Sequence, residues 1–134
     1  MNEIIADVNW LAVVVSAILS FMLGALWYSP MLFGNKWAKG VGMDLSGDTP
    51  MKPPASAMVI QMLGTFLLSW AIGVAAVTHA LATAILTVIM LLAMIASNGM
   101  WAGKNNVAIA IECGYIAAIS MIMIVAQGVL RDVL

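Results

Sequence analysis

One carboxylate stands inside a long apolar run: Glu112, in Ile111-Glu112-Cys113-Gly114-Tyr115. An ionisable group placed below a membrane surface is costly and marks a functional position by default, as a proton relay or a small-cation site; the alternative is that Glu112 sits near the interface and snorkels, or caps a neighbour's polar group. Glu112 lies some six residues into the helix that this run predicts, about 9 Å below its start at 1.5 Å per residue. The groups predicted at the same level are Asn98, Tyr28 and Ser29. Pro30 frees the carbonyl of Leu26, four residues back, which then needs another donor. The Tyr28 hydroxyl and the Asn98 amide are donors of the right kind. Tyr28, Ser29, Pro30, Asn98, Glu112 and Tyr115 therefore form a candidate intramembrane polar cluster.

The remaining reactive side chains point away from catalysis. His79 is the only histidine, so one chain cannot build a His-based metal site, and it reads as a solvated turn residue. Cys113 is the only cysteine, which excludes an intrachain disulfide, and in an apolar run it behaves as a small hydrophobe. Asp44 and Asp48 are too sparse for a calcium loop. Met90, Met94, Met121 and Met123 are dispersed through apolar runs, which fits packing better than a copper(I) path. No GxSxG, P-loop or HExxH segment occurs. The reading is a non-enzyme without cofactor or metal. A net charge of -1 and the lack of a basic patch give no ground for a nucleic-acid partner.

The elements that position these residues follow from composition. The chain has 134 residues, 64% hydrophobic and 8% charged, with a mean hydropathy of +1.09. A soluble domain carries about 25% charged residues, so lipid is the solvent for most of this chain. Four runs reach the ~20 apolar residues that a spanning helix needs: about 9–30, 55–78, 81–101 and 106–130. They predict an all-α, integral-membrane four-helix bundle in a single domain, 1–134, with Asn9 and Asn105-Asn106 as helix caps. The link at Val77-Thr78-His79-Ala80 and the one at Ala102-Gly103-Lys104-Asn105 are short, so the helices they join are antiparallel neighbours. A loop of about 34–54 is the one sizeable connection.

Lys36, Lys39, Lys52 and Lys104 fall on one side of the membrane and Arg131 on the other. The positive-inside rule places the lysine side in the cytoplasm and both termini outside it. Trp10, Trp27, Tyr28, Trp37 and Trp101 fall near the interfaces as an aromatic belt, whereas Trp70 falls deeper, as a packing or lipid-facing residue. Gln127 and Arg131 read as interfacial.

Small residues set the packing faces, because helices in lipid associate by close approach and not by burial from water. Ala12, Ser16, Ser20 and Gly24 share one face of the first helix, and Ser69 and Gly73 make a shorter pair. Gly99 and Gly103 form a GxxxG at the end of the third helix. Ala110, Gly114 and Ala118 make a ridge on the fourth. Since one small bundle encloses little room for a site, a homo-oligomer is expected.

Asn9-Trp10-Leu11-Ala12-Val13, then Gly24-Ala25-Leu26-Trp27-Tyr28-Ser29-Pro30-Met31-Leu32-Phe33-Gly34 with Trp37, and Gly114-Tyr115 in the last helix, resemble a family of small bacterial membrane proteins: domain of unknown function 1761. The resemblance covers nearly the whole chain. It implies four spanning helices in a bacterial inner membrane and no particular activity. By the same resemblance, the chain departs from the family pattern at Glu112, where Asn is usual, and at Ile116, where His is usual.

Two functions fit these residues. One is a proton- or small-cation-coupled transporter or channel, acting as an oligomer around Glu112. The other is a non-transporting structural or regulatory protein that meets the lipid bilayer and a membrane partner through its small-residue faces.

Overall fold

The structure, a computed structural model, describes residues 4–29, 31–41 and 55–130. Pro30, Asp44, Asp48, Lys52, the Pro53-Pro54 pair and Arg131 lie outside the described residues, and so do the readings that rest on them. The described residues form five helices: α1 (Trp10–Trp27), α2 (Gly34–Gly40), α3 (Ala55–Val77), α4 (Leu81–Trp101) and α5 (Asn106–Leu130). All but α2 are long and apolar enough to cross a membrane. The fold is all-α, with four candidate spans where the apolar runs place them.

The ends of these helices are set by local chemistry. The Asn9 Oδ1 accepts the Ala12 N–H at 3.1 Å and caps α1, while its Nδ2 donates to the Leu130 carbonyl at 2.7 Å. One side chain thus pins the start of α1 to the end of α5. The Asn105 Oδ1 accepts the Ala108 N–H at 2.8 Å and caps α5. At the end of α4, the Lys104 N–H reaches the Gly99 carbonyl (3.0 Å) and the Gly103 N–H the Met100 carbonyl (3.1 Å). This bond pair requires a left-handed residue, and Gly103 supplies it at φ 79°. Gly103 is therefore a helix stop: a Cβ there meets nothing within 4 Å, so the predicted packing role falls to Gly99 alone. Gly99 faces Ile109 of α5 within the same chain. His79 takes the same left-handed position after α3, at φ 57°, exposed as expected of a turn residue.

Helices α1, α3 and α5 make the core, and α4 lies against α5 and α3 at its edge. The small face of α1 is buried as predicted, with Ala12, Ser16 and Ser20 wholly enclosed. On α5 it is met mainly by large residues, with Gly114 of the small ridge admitting Trp27. Ile111, Tyr115, Ile119, Met123 and Gln127, spaced by four, form the buried face of α5, while Ala110 is exposed. Large side chains of one helix fill the hollows left by small ones on the other, which gives closer packing than two smooth ridges could. Met123 is at 0% exposure and thus a core residue, whereas Met90, Met94 and Met121 face outward.

Polar groups are stitched into this core. The Ser16 and Ser69 hydroxyls lie 2.7 Å apart. One hydroxyl donates to the other, and the accepting one donates in turn to a backbone carbonyl, Val13 for Ser69 (2.8 Å) or Ala12 for Ser16 (2.7 Å). Gln127 is not interfacial: at 5% exposure it turns inward against Gly73, where an added Cβ would come within 2.9 Å of its Nε2. Trp70 packs between helices, one of the two roles expected of it: its indole N–H donates to the Ile4 carbonyl at 2.6 Å, and its ring lies 5.4 Å from that of Trp10 on α1.

The segment expected as plain loop contains α2. Gly34, Ala38 and Gly40 are its buried residues, and the Asn105 N–H donates to the Gly40 carbonyl at 3.0 Å. The short helix is held by docking on α5, since seven residues with two glycines have little helical preference of their own.

Candidate functional site

The end of α1 is closed by its own turn. The Tyr28 N–H reaches the Gly24 carbonyl at 3.0 Å. The Leu26 carbonyl accepts both the Ser29 hydroxyl (2.6 Å) and the Ser29 N–H (3.1 Å). The orphan acceptor was expected to call on Tyr28 or Asn98. Ser29 satisfies it locally, because a hydroxyl three residues on reaches the last carbonyls at almost no cost in chain entropy. The chain then doubles back: the Phe33 N–H bonds the Trp27 carbonyl (3.1 Å) and the Gly34 N–H the Ser29 carbonyl (2.9 Å). Gly34 is required there, since any Cβ would run into the Tyr28 carbonyl oxygen.

This turn gathers aromatic side chains against α5. The Trp27 indole N–H donates to the Ile111 carbonyl at 3.0 Å, and Gly114 leaves room for its ring, 3.3 Å from where a Cβ would stand. The Tyr115 hydroxyl donates to the Ser20 carbonyl at 2.9 Å. Tyr28 sits edge-on to both Trp37 (5.3 Å) and Tyr115 (5.5 Å), and Trp27 lies 4.9 Å from Phe33. Offset and edge-on pairs of this kind each add about 0.5–1.5 kcal/mol beyond their contact area.

Glu112 does not join that cluster through a hydrogen bond. Its two oxygens accept from Lys104 Nζ at 2.6 and 3.0 Å, with the side chains 17% and 30% exposed. The carboxylate thus meets the cation of the α4–α5 turn at the bundle's edge. Asn98 turns outward and is exposed, away from the aromatic residues. The six-residue cluster read from the sequence therefore separates: Tyr28 and Tyr115 come together, Ser29 caps its own turn, Glu112 pairs with Lys104, and Asn98 stands apart. Pro30 lies outside the described residues. Phe33 and Trp37 were not singled out as site residues; their recurrence after a helix stop was the signal for a returning turn. Lys104 was read for topology alone, although it faces the one acidic residue of the spans.

Chemically, the arrangement holds surfaces together. No three His, Cys, Asp or Glu side chains converge among the described residues. Besides the buried atoms already paired, the Ser20 hydroxyl, the Trp37 indole N–H and the Gln127 amide nitrogen have no partner among the described residues.

A family model described as "Protein of unknown function (DUF1761)" matches residues 11–128, which include the whole aromatic cluster and the ion pair. No curated protein and no solved structure matches the chain.

Proposed function

The chain belongs to the DUF1761 family, whose description carries no activity, and we propose from its geometry that it is a non-transporting interaction protein of a bacterial plasma membrane. The observation that carries this reading is the Lys104–Glu112 pair. Glu112 is the only acidic residue in the four spans. Its carboxylate is engaged by a lysine of the same chain at one edge of the bundle, which supports a local structural role over a path between the two faces. Between the helices, Val13, Ile72, Ile119 and Met123 fill the core at 0–2% exposure, which leaves little room for a hydrated path.

What remains available is surface. The apolar window of α4 is only 6% buried, against 39% for α5. In this reading α4 meets lipid and a membrane partner or a second copy. The lysine-bearing turns face the cytoplasm and both termini lie outside it. No catalysis is assigned.

A second reading, an oligomeric proton- or small-cation-coupled channel, draws on the polar seam of Asn9, Gln127, Ser16, Ser69 and Thr65, all buried in the core. Flux measured in reconstituted vesicles under a pH or potassium gradient separates the two. The interaction reading expects leak no greater than in protein-free vesicles, for wild type and Glu112→Gln alike, together with α4 crosslinks to a protein in native membranes. Flux that Glu112→Gln abolishes overturns it.

A further inference from the structure

An open groove of about 300 Å³ runs between the end of α1, the returning turn and the first turns of α5, lined by Trp27, Phe33, Lys36, Val107, Ala110 and Ile111. We propose that this groove binds an anionic phospholipid, with the phosphate at Lys36 and an acyl chain along the apolar wall.

The position of the groove selects a lipid. Trp27 ends one span and Val107 opens another, so the groove lies where headgroups meet hydrocarbon. Five of its six lining residues are apolar or aromatic, as an acyl chain requires, and the sixth is a cation on α2. The wall is preorganised: the Trp27 ring is fixed by its bond to the Ile111 carbonyl and by Phe33. A fixed wall lowers the ordering cost of binding. The charge selects an anionic headgroup. Glu112, the nearest acidic residue in the spans, is engaged by Lys104 and not by Lys36. Lys36 is exposed. A basic pocket between spanning helices is the recurrent form of such lipid sites. Free phosphate would use Lys36 alone and leave the apolar wall unused.

The test is native mass spectrometry of the full chain extracted from vesicles of mixed phosphatidylglycerol and phosphatidylcholine, with circular dichroism confirming the helical fold of each variant. Wild type is expected to retain phosphatidylglycerol preferentially. Lys36→Gln should lower that retention about fivefold, the change that one lysine near an anionic surface commands. Lys39→Gln, which lies off the groove, should change it far less. Ala110→Trp, which fills the groove, should lower retention of both lipids. Equal retention of the two lipids by wild type, no effect of Lys36→Gln, or an equal effect of Lys39→Gln would each overturn the proposal. So would inorganic phosphate raising thermal stability in phosphatidylcholine as much as phosphatidylglycerol does.

Discussion

Gly24 of α1 and Tyr115 of α5 are complementary: a Cβ on Gly24 would stand 2.7 Å from the Tyr115 hydroxyl, which donates to the Ser20 carbonyl one turn away. The missing side chain is what allows that bond. Gly24→Ala should therefore destabilise the bundle by about 1–3 kcal/mol, the usual cost of overpacking. Tyr115→Phe removes the hydroxyl, and the nearest ring carbon is then 3.1 Å from the new Cβ. Gly24→Ala should cost less in the Tyr115→Phe background than in wild type, because contacting residues are not additive. Thermal denaturation in mild detergent measures both; strictly additive costs would refute the coupling.

The buried serines of α1 and α3 should respond unequally. Ser16 and Ser69 share a hydrogen bond across two helices, and such bonds in membranes average about 0.6 kcal/mol. Ser69→Ala removes that bond whichever hydroxyl donates it, so a loss near that average is expected. The Ser20 hydroxyl is buried with no partner among the described residues. Ser20→Ala is expected to be neutral or mildly stabilising, since it deletes an unsatisfied group. A larger loss for Ser20→Ala than for Ser69→Ala in the same denaturation assay would contradict this assignment.

The Lys104–Glu112 pair sets a third expectation. Partly exposed ion pairs contribute about 0–1 kcal/mol, and salt screens them. A double-mutant cycle with Lys104→Met and Glu112→Gln should give a coupling energy in that range, shrinking as ionic strength rises. A coupling of several kcal/mol, insensitive to salt, would mean that the pair is more deeply buried than its geometry shows.

The spans were legible because apolar length is a direct physical requirement of lipid, and the caps at Asn9 and Asn105 because a side-chain acceptor before a helix has few other uses. Tyr28 and Tyr115 were legible as members of one site; their partners were not. The Tyr115 hydroxyl bonds a backbone carbonyl, and every residue carries one, so nothing in the side-chain pattern marks Ser20 as the acceptor. The Lys104 partner of Glu112 was not legible, because depth along a helix was known and rotation about it was not. That rotation brings the Lys104 side chain, eight residues back, onto the carboxylate. α2 was hidden for a different reason. Gly-Asn-Lys-Trp-Ala-Lys-Gly has poor intrinsic helicity, and its order comes from tertiary contact. On α5, large residues fill most of the interface because the small face of α1 leaves the hollows for them, and of the small-residue ridge Gly114 admits the Trp27 ring.

The docking of α2 gives the last prediction. Gly40 accepts the Asn105 N–H at 3.0 Å, and a Cβ there would strike the Asn105 Oδ1 and come within 2.5 Å of the Ala108 Cβ. That same Oδ1 caps α5. Gly40→Ala therefore forces α2 away from α5 and disturbs the cap, and both effects act in one place. Hydrogen exchange should speed up in α2 and in the first turn of α5, corresponding to a local loss of about 1–3 kcal/mol, while the distant half of α5 stays protected. Gly64→Ala is the control, because a Cβ there meets nothing within 4 Å. Placed within α3, it should be neutral or stabilise by up to about 1 kcal/mol through helix propensity. If Gly40→Ala leaves exchange in α2 unchanged, α2 is not held by its contact with Asn105 and Ala108, and the groove beside it loses its fixed floor.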